Sequence, residues 1–361
     1  VELIVDGQIL RRFLSFLEET GTEKRLLNLG VLEIPLRKSS EPIAIAAKLV
    51  IGLMEDAAEL AGRPAAGVQF AEWLDPHLFG PMALLGEGAT TLAERFHLAC
   101  QFVHIRNNTL TFEKSEEQDN VIMHVVVHPA IRPIARQFTE FFVAHCVKNV
   151  RTLLGAGWNA IRVELAHGPR ASAGTEARYF KCPIRYLSGR DAIVVSRSDF
   201  VRRLPQSNPE KIAMLKRHFA QEEPMWRMDL RTQVEHLVAS QLSTGTVSLT
   251  TISALLAMSP RTLQRRLAAS GSDFAGVLEF VRIQAAEKYL RQDPPPPLTR
   301  LSQLLGYSDA SVASRFVKSR LGQCPRKLAR RLSAHQQSIK RAARQTSFFT
   351  TDTFLTERHS T

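Results

Sequence analysis

Ile9, Leu10, Phe13, Leu14 and Leu17 recur at three- and four-residue intervals and stop short of Gly21, a pattern that predicts an amphipathic helix. Ile43–Leu60 predicts a longer, mostly apolar helix. Thr91–His104 predicts another, with Leu92, Phe96 and Ala99/Cys100 on one face. Two alternating segments, Thr109–Glu113 and Val121–Val127, predict strands on either side of a charged turn, Lys114–Asn120. Ala135–Leu154 returns to helical spacing, and Ile161–Ala166 and Ala192–Val195 predict further strands. The front of the chain therefore predicts an α+β domain over residues 1–205, closing at the loop LPQSNPEK. Residues 206–230 predict a connecting helix and linker. From 231 to 332 the strand pattern disappears and everything predicts helix, and the polar tail 333–361 has no apolar face with which to join a core.

Within the helical part, SPRTLQRRLAASG (Ser259–Gly271) opens on a Ser-Pro helix start and closes on Gly. Leu263 and Leu267 share one face, leaving Arg261, Gln264, Arg265 and Arg266 pointing elsewhere. The helix before it, ISALLAMS (Ile252–Ser259), aligns without gaps on LSQLLGYS (Leu301–Ser308), 49 residues later. Each copy predicts a short helix, a tight turn at Ala257 or Gly306, and a Ser that caps a second helix: a helix-turn-helix, twice. Small Ser253 and Ser302 let the second helix approach the first. Between the copies, Phe274, Val277, Leu278, Val281, Ala285 and Tyr289 keep a period near 3.6, predicting one long helix ended by the prolines at 294–297. In the second copy, either Val312/Phe316 or Ala313/Val317 could be the buried pair.

Charge sharpens this division. The chain of 361 residues carries a formal net charge of +12, of which residues 231–332 hold +9 and residues 1–230 only +1. A near-neutral front and a basic back predict one part that senses and one that meets a polyanion. The four cysteines, Cys100, Cys146, Cys182 and Cys324, have neither CxxC nor metal-ligand spacing, as in a reduced protein with ordinary thiols. No signal-peptide or membrane-span pattern is present, so the expectation is a soluble cytoplasmic protein without a membrane partner.

The back of the chain resembles the AraC/XylS family of bacterial transcription regulators. The resemblance is carried by Ser259, Pro260, Arg261, Leu263 and Arg265; by Gly271, Phe274 and Arg282; by Leu305–Ser308; and by Gly322, Pro325 and Arg326. The front resembles the arabinose-binding-type sensor domain of one branch of that family, through the segments GPMALLGEGATTLAERFHLACQFVHIRNNTLTF and YFKCPIRYLSGRDAIVVSRSDFVRRLP. Two departures are Ala313, where a Phe is common, and Lys181, where a Gly is common. The resemblance implies an α+β sensor domain followed by an all-α domain of two helix-turn-helix units joined by a long helix. It implies double-stranded DNA, a small-molecule effector, RNA polymerase and a second copy of the chain as partners, with no cofactor and no metal.

In such a regulator the second helix of each unit enters the major groove. The expected base-reading residues are Arg261, Thr262, Gln264 and Arg265 in the first, and Ser311, Ser314 and Arg315 in the second. Arg pairs bidentately with guanine and Gln with adenine. Ser259, Ser308, Lys318 and Arg326 are expected at phosphate. Arg282 is expected to be structural. The effector-binding residues, and the choice between activation and repression, stay open. Two other readings remain: a constitutive DNA-binding protein whose front only dimerises, and an enzyme domain fused to a DNA-binding module. For the latter, His97, His104, His124, His128 and His145 offer bases or ligands, but their spacing matches no ligand set and no phosphate loop or nucleophile motif accompanies them.

Overall fold

Gly7–Glu19 (α1) forms where the first apolar stripe predicts it, capped by Asp6, whose carboxylate accepts the Gln8 N–H at 2.9 Å. The computed structural model describes residues 2–21, 43–60, 62–75, 88–170, 173–204, 207–222, 224, 227–244, 247–292 and 297–331. The expectations for the tail 333–361, for the prolines before Pro297 and for parts of two family segments fall outside these residues. By internal contacts the chain divides into two units. One holds Val1–Gln233 and Thr250–Leu263, the other Val234–Leu249 and Gln264–Thr361.

In the first unit, Ile4–Asp6 (β1) pairs antiparallel with Ala44–Ala46 (β2), and Ala47–Glu59 (α2) follows directly. The segment read as one helix, Ile43–Leu60, is thus a strand and then a helix. Its first residues form a short unbroken apolar run, which periodicity cannot assign. Ala66–Trp73 (α3) was not anticipated. Leu92–Arg106 (α4) starts at a reciprocal cap: Thr91 Oγ1 accepts the Glu94 N–H at 3.1 Å, and the Glu94 carboxylate accepts the Thr90 N–H at 2.8 Å.

Leu110–Glu117 (β3) and Asn120–Val127 (β4) run further than their apolar residues indicate, joined by a two-residue turn with Gln118 at φ +53°. The charged residues expected in a turn lie instead on β3, the edge of the sheet, where charge discourages further pairing. Arg136–Leu154 (α5), Arg162–Glu164 (β5), Ala173–Phe180 (α6), Ile184–Arg185 (β6), Ala192–Ser196 (β7) and Arg197–Val201 (α7) complete the sheet and its helices. The strand order is β3-β4-β7-β5-β6, antiparallel except for β5–β6.

α5 organises this unit. Phe141 stacks on Phe70 at 4.7 Å between ring centroids, and Phe70 meets Phe13 at 5.2 Å, joining α5, α3 and α1. The Gly67 N–H donates to the buried Gln137 side chain at 2.8 Å, and the Gln137 N–H donates to Glu55 on α2 at 2.6 Å. The Lys148 ammonium donates to the carbonyls of Ala71, Glu72 and Leu74, closing the C-terminal end of α3.

Pro209–Ala220 (α8) is the expected connecting helix, and it is packed. Ile212, Leu215 and Phe219 join Leu98, Phe102 and Ile105 of α4 in one cluster. Phe219 lies 5.5 Å from Phe102, and Arg106 pairs with Glu222 at 3.0 Å. Lys181 has φ +53°, the left-handed conformation that explains why a Gly is common there.

The remaining elements are helical: Leu230–Gln241 (α9), Leu249–Leu255 (α10), Pro260–Ala269 (α11), Phe274–Leu290 (α12), Leu298–Leu304 (α13), Ala310–Leu321 (α14) and residues 325–331 (α15). The long helix appears between the two copies, as the pattern predicts. It buries Val277, Val281, Ala286, Tyr289 and Leu290, so Ala286 takes the inward position expected for Ala285.

Candidate DNA-reading helices and a cavity in the front domain

The two turns repeat each other bond for bond. In the first, the Met258 N–H donates to the Ser253 carbonyl at 2.8 Å and the Ala257 N–H to Ala254 at 2.9 Å. In the second, the Tyr307 N–H donates to Ser302 at 2.9 Å and the Gly306 N–H to Gln303 at 3.1 Å. These bonds tie off the carbonyls at the end of the first helix around one left-handed residue, Ala257 (φ +50°) or Gly306 (φ +71°). Ser253 and Ser302 are buried, as their small size predicts, and each hydroxyl donates to the carbonyl three residues back. A Cβ in the left-handed region is strained by about 1–2 kcal/mol. Gly306→Ala should therefore destabilise by about 1 kcal/mol, whereas Ala257→Gly should be neutral or stabilising. Differential scanning calorimetry of the two variants measures this difference.

Beyond the turns the register changes. Ser259 caps α11, its hydroxyl oxygen accepting the Thr262 N–H at 3.1 Å. The expected cap at Ser308 is corrected: Asp309 holds that place, its carboxylate accepting the Ser311 N–H at 2.5 Å. The second helix thus begins at Ala310, fifty residues after Pro260 rather than 49. Burial follows the new offset. Leu263 and Leu267 are inside in α11, and Ala313 and Val317 in α14. The alternative pair Val312/Phe316 is excluded, because both are only half-buried.

This register makes Ser311, Ser314 and Arg315 the counterparts of Arg261, Gln264 and Arg265. Arg261, Gln264, Arg265, Ser311 and Arg315 are exposed, as are Ser259, Ser308, Lys318 and Arg326. Thr262 and Ser314 are half-buried. Thr262 also shares a hydrogen bond with the Ser259 hydroxyl at 2.8 Å.

Arg282 is structural, through the second turn and not within its own helix. Its Nε donates to the Leu305 carbonyl at 3.1 Å, and its guanidinium lies 4.4 Å from the Tyr307 ring centroid. Tyr307 in turn lies 5.8 Å from Phe316. Arg320 pairs with Glu279 at 2.8 Å. These contacts anchor the second unit to α12.

The front unit holds a cavity of ≈180 Å³ that the sequence reading did not locate. One wall is the α4 stripe Leu92, Arg95, Phe96, Ala99, Val103 and Arg106; the other is the α5 stripe Phe142, His145, Cys146, Asn149, Val150 and Leu153. Asp6 and Ile9 of the first strand and helix, and Phe112 and Met123 of the sheet, also line it. Polar residues interrupting an apolar helical stripe, as His145 and Asn149 do, were the available signal. Burial, aided by the charges of Arg95 and Lys148, pushes the His145 imidazole down to about 3, so it is neutral at physiological pH. Burial pushes the Cys146 thiol up to about 12, which makes it inert.

The other histidines do not converge. His124 accepts or donates a hydrogen bond to Ser115 at 2.8 Å, and His97 and His104 are exposed. Among the described residues, no group of three or more His, Cys, Asp or Glu is arranged to hold a metal ion. Nor is any described helix long and apolar enough to cross a membrane.

A mixed α+β domain with a cavity between two helices, followed by paired helix-turn-helix units with exposed arginines, defines a DNA-binding transcription regulator with a sensor domain. Residues 29–204 match the family model for the arabinose-binding N-terminal domain of AraC transcription regulators, and residues 252–331 match a helix-turn-helix domain model. Together the two matches give the chain the domain organisation of an AraC-type transcription regulator.

It is 28% identical over 282 residues to the HTH-type transcriptional regulator VirS of Mycobacterium tuberculosis, covering 76% of this chain and 82% of that protein. It is also similar to the solved structure of the transcriptional regulator CdpR from Pseudomonas aeruginosa, at 18% identity and a TM-score of 0.43, over 90% of this chain and 98% of that one. A DNA-binding transcriptional dual regulator from Escherichia coli K-12 aligns at 20% identity and a TM-score of 0.28, over 30% of this chain and 96% of that one.

Proposed function

We propose that this regulator reads two successive major-groove segments with α11 and α14, under the control of a small molecule held in the front domain. Arg261, Thr262, Gln264 and Arg265 read bases in one segment, and Ser311, Ser314 and Arg315 in the other. Ser259, Ser308, Lys318 and Arg326 meet phosphate. The observation that carries this reading is the fifty-residue correspondence: at equivalent places on both helices, a buried pair faces inward and the candidate readers face out or to the rim. The 17-residue helix α12, which joins the two copies in sequence, spans roughly 25 Å at 1.5 Å per residue.

Residues 1–205, extended by the packed α8, form the sensing and dimerisation part. The rest of 206–230 is the linker, and 231–332 is the DNA-binding part. The cavity between α4 and α5 is the effector site, and a homodimer acting with RNA polymerase in the cytoplasm is the working form.

Selection of bound sites from random duplex DNA by the full chain tests this reading. It should recover two short conserved elements centred about 10–10.5 base pairs apart. A single short element, or none, would overturn it. A metabolite that raises the melting temperature and shifts affinity for the recovered site would support sensing, and turnover of that metabolite would favour an enzyme.

Asp309 supplies a further check. Its hydrogen bonds with Ser311 hold its carboxyl below the usual range, so it presents a full negative charge at the start of a reading helix. Asp309→Asn keeps the cap and removes the charge, and should strengthen DNA binding roughly threefold near 0.1 M salt. Fluorescence anisotropy at two salt concentrations measures it.

A further inference from the structure

The walls of the cavity specify the chemistry of what it holds, given the proposal that the front domain is the sensor. Twelve of the eighteen described lining residues carry apolar side chains. A sugar bears a hydroxyl on most of its carbons, and those set against Phe96, Val103, Phe142 or Val150 would lose their hydrogen bonds to water, at roughly 1–3 kcal/mol each. The volume is slightly larger than the roughly 150 Å³ of a cavity known to bind benzene. It therefore admits one ring or a short chain with a compact polar head.

Charge sets the sign of that head. Among the described residues, the formally charged lining groups are Arg95, Arg106 and Asp6, a net positive set. Arg106 is held by Glu222 at 3.0 Å. Asp6 is engaged at the start of α1, accepting the Gln8 N–H at 2.9 Å, and burial raises its pKa. Asp6, the lining carboxyl that could welcome a cation, is thus engaged and discouraged from ionising. The charge of Arg95 reaches the neutral His145, the amide of Asn149 lies one helical turn further along α5, and each of the two can donate a hydrogen bond.

We propose that the cavity takes a small monocarboxylate with an apolar body, of the size of benzoate or hexanoate. Its carboxylate meets Arg95, with Asn149 and His145 beside it, and its carbon body lies along Phe96, Phe142 and Val150. An arginine fits this task because its planar fork matches a carboxylate bidentately.

The test titrates the full chain with benzoate and hexanoate, and in parallel with benzamide, hexanamide and benzylamine. Thermal unfolding and calorimetry read binding, and anisotropy on selected DNA reads the response. The carboxylates should raise the melting temperature by roughly 5 °C near saturation, and bind at least about tenfold more tightly than the amides or the amine. Arg95→Gln should erase that preference. Should Arg95→Gln fail to fold, Ala99→Leu, which fills the cavity and leaves Arg95 in place, should abolish binding of all five compounds.

An amide or the amine binding as tightly as the carboxylates overturns the ligand chemistry while leaving a sensing role intact. Carboxylate binding unaffected by both substitutions, or no binding by either carboxylate at millimolar concentration, also overturns the proposal. Carboxylate binding that leaves DNA affinity unchanged retains the ligand assignment and removes the control of DNA binding on which it rests.

Discussion

Replacing Gly67 with alanine should destabilise the front domain by about 3 kcal/mol or more and lower its melting temperature accordingly. Gly67 lies in α3, where that helix crosses the start of α5. A Cβ there would stand 2.0 Å from the Gln137 carbonyl oxygen and 3.1 Å from the Phe141 nitrogen, both backbone atoms. No rotamer change relieves such a clash, so the helices must separate. Separation breaks the Gly67–Gln137 hydrogen bond and opens the Phe70–Phe141 stack. Gly52→Ala is the matched control. Gly52 lies inside α2 with nothing within 4 Å of a Cβ, so alanine should stabilise by about 0.5–1 kcal/mol through helix propensity alone. Calorimetry of the two variants should give shifts of opposite sign. Equal shifts would show that the α3–α5 approach is looser than described.

Truncating Arg265 to alanine should weaken binding to the selected site by roughly 10- to 100-fold, corresponding to the 1–3 kcal/mol of a bidentate arginine–guanine pair. Preference should relax at one base position, and Arg261→Ala should do the same at another. Lys318→Ala and Arg326→Ala should instead weaken all sequences alike and lower the salt slope by about one. The paired helices are unequal in reach. At equivalent places α11 has Arg261, Gln264 and Arg265, whereas α14 has Ser311, Ser314 and Arg315. The DNA segment under α11 should therefore show the stronger base preference. Equal preference in both segments, or unchanged selectivity in Arg265→Ala at matched salt, would contradict this assignment.

Much of the regulator is legible in its sequence because the DNA-binding part is built from local signals. Ser-Pro starts, a positive-φ turn and an i,i+4 apolar pair all act within a few residues, so comparing the chain with itself exposes them. The phase of α14 was not legible. Burial depends on where capping begins, and Ser308 and Asp309 are both competent caps standing side by side.

The front was harder to read, for physical reasons that differ by element. Ile43–Ala46 is apolar without a period, and its strand state is set by a partner some forty residues away. α3 is short, carries Gly67 and owes its place to tertiary bonds from Gln137 and Lys148. The cavity was hidden because Leu92, Phe96 and Ala99 follow the same spacing whether they meet a packed core or line a cavity.

The two turns share their hydrogen-bond pattern, yet the helices that follow start one residue apart. Pro260–Leu267 and Ala310–Val317 are therefore interchangeable cassettes only when cut immediately after their own caps, Ser259 and Asp309. A graft made by aligning the flanking repeats would rotate every reader by about 100° and set Gln264 at the buried place of Ala313. Cut at the caps, the same strip of sequence could be moved from one head to the other, recoding half of the operator without redesigning the scaffold.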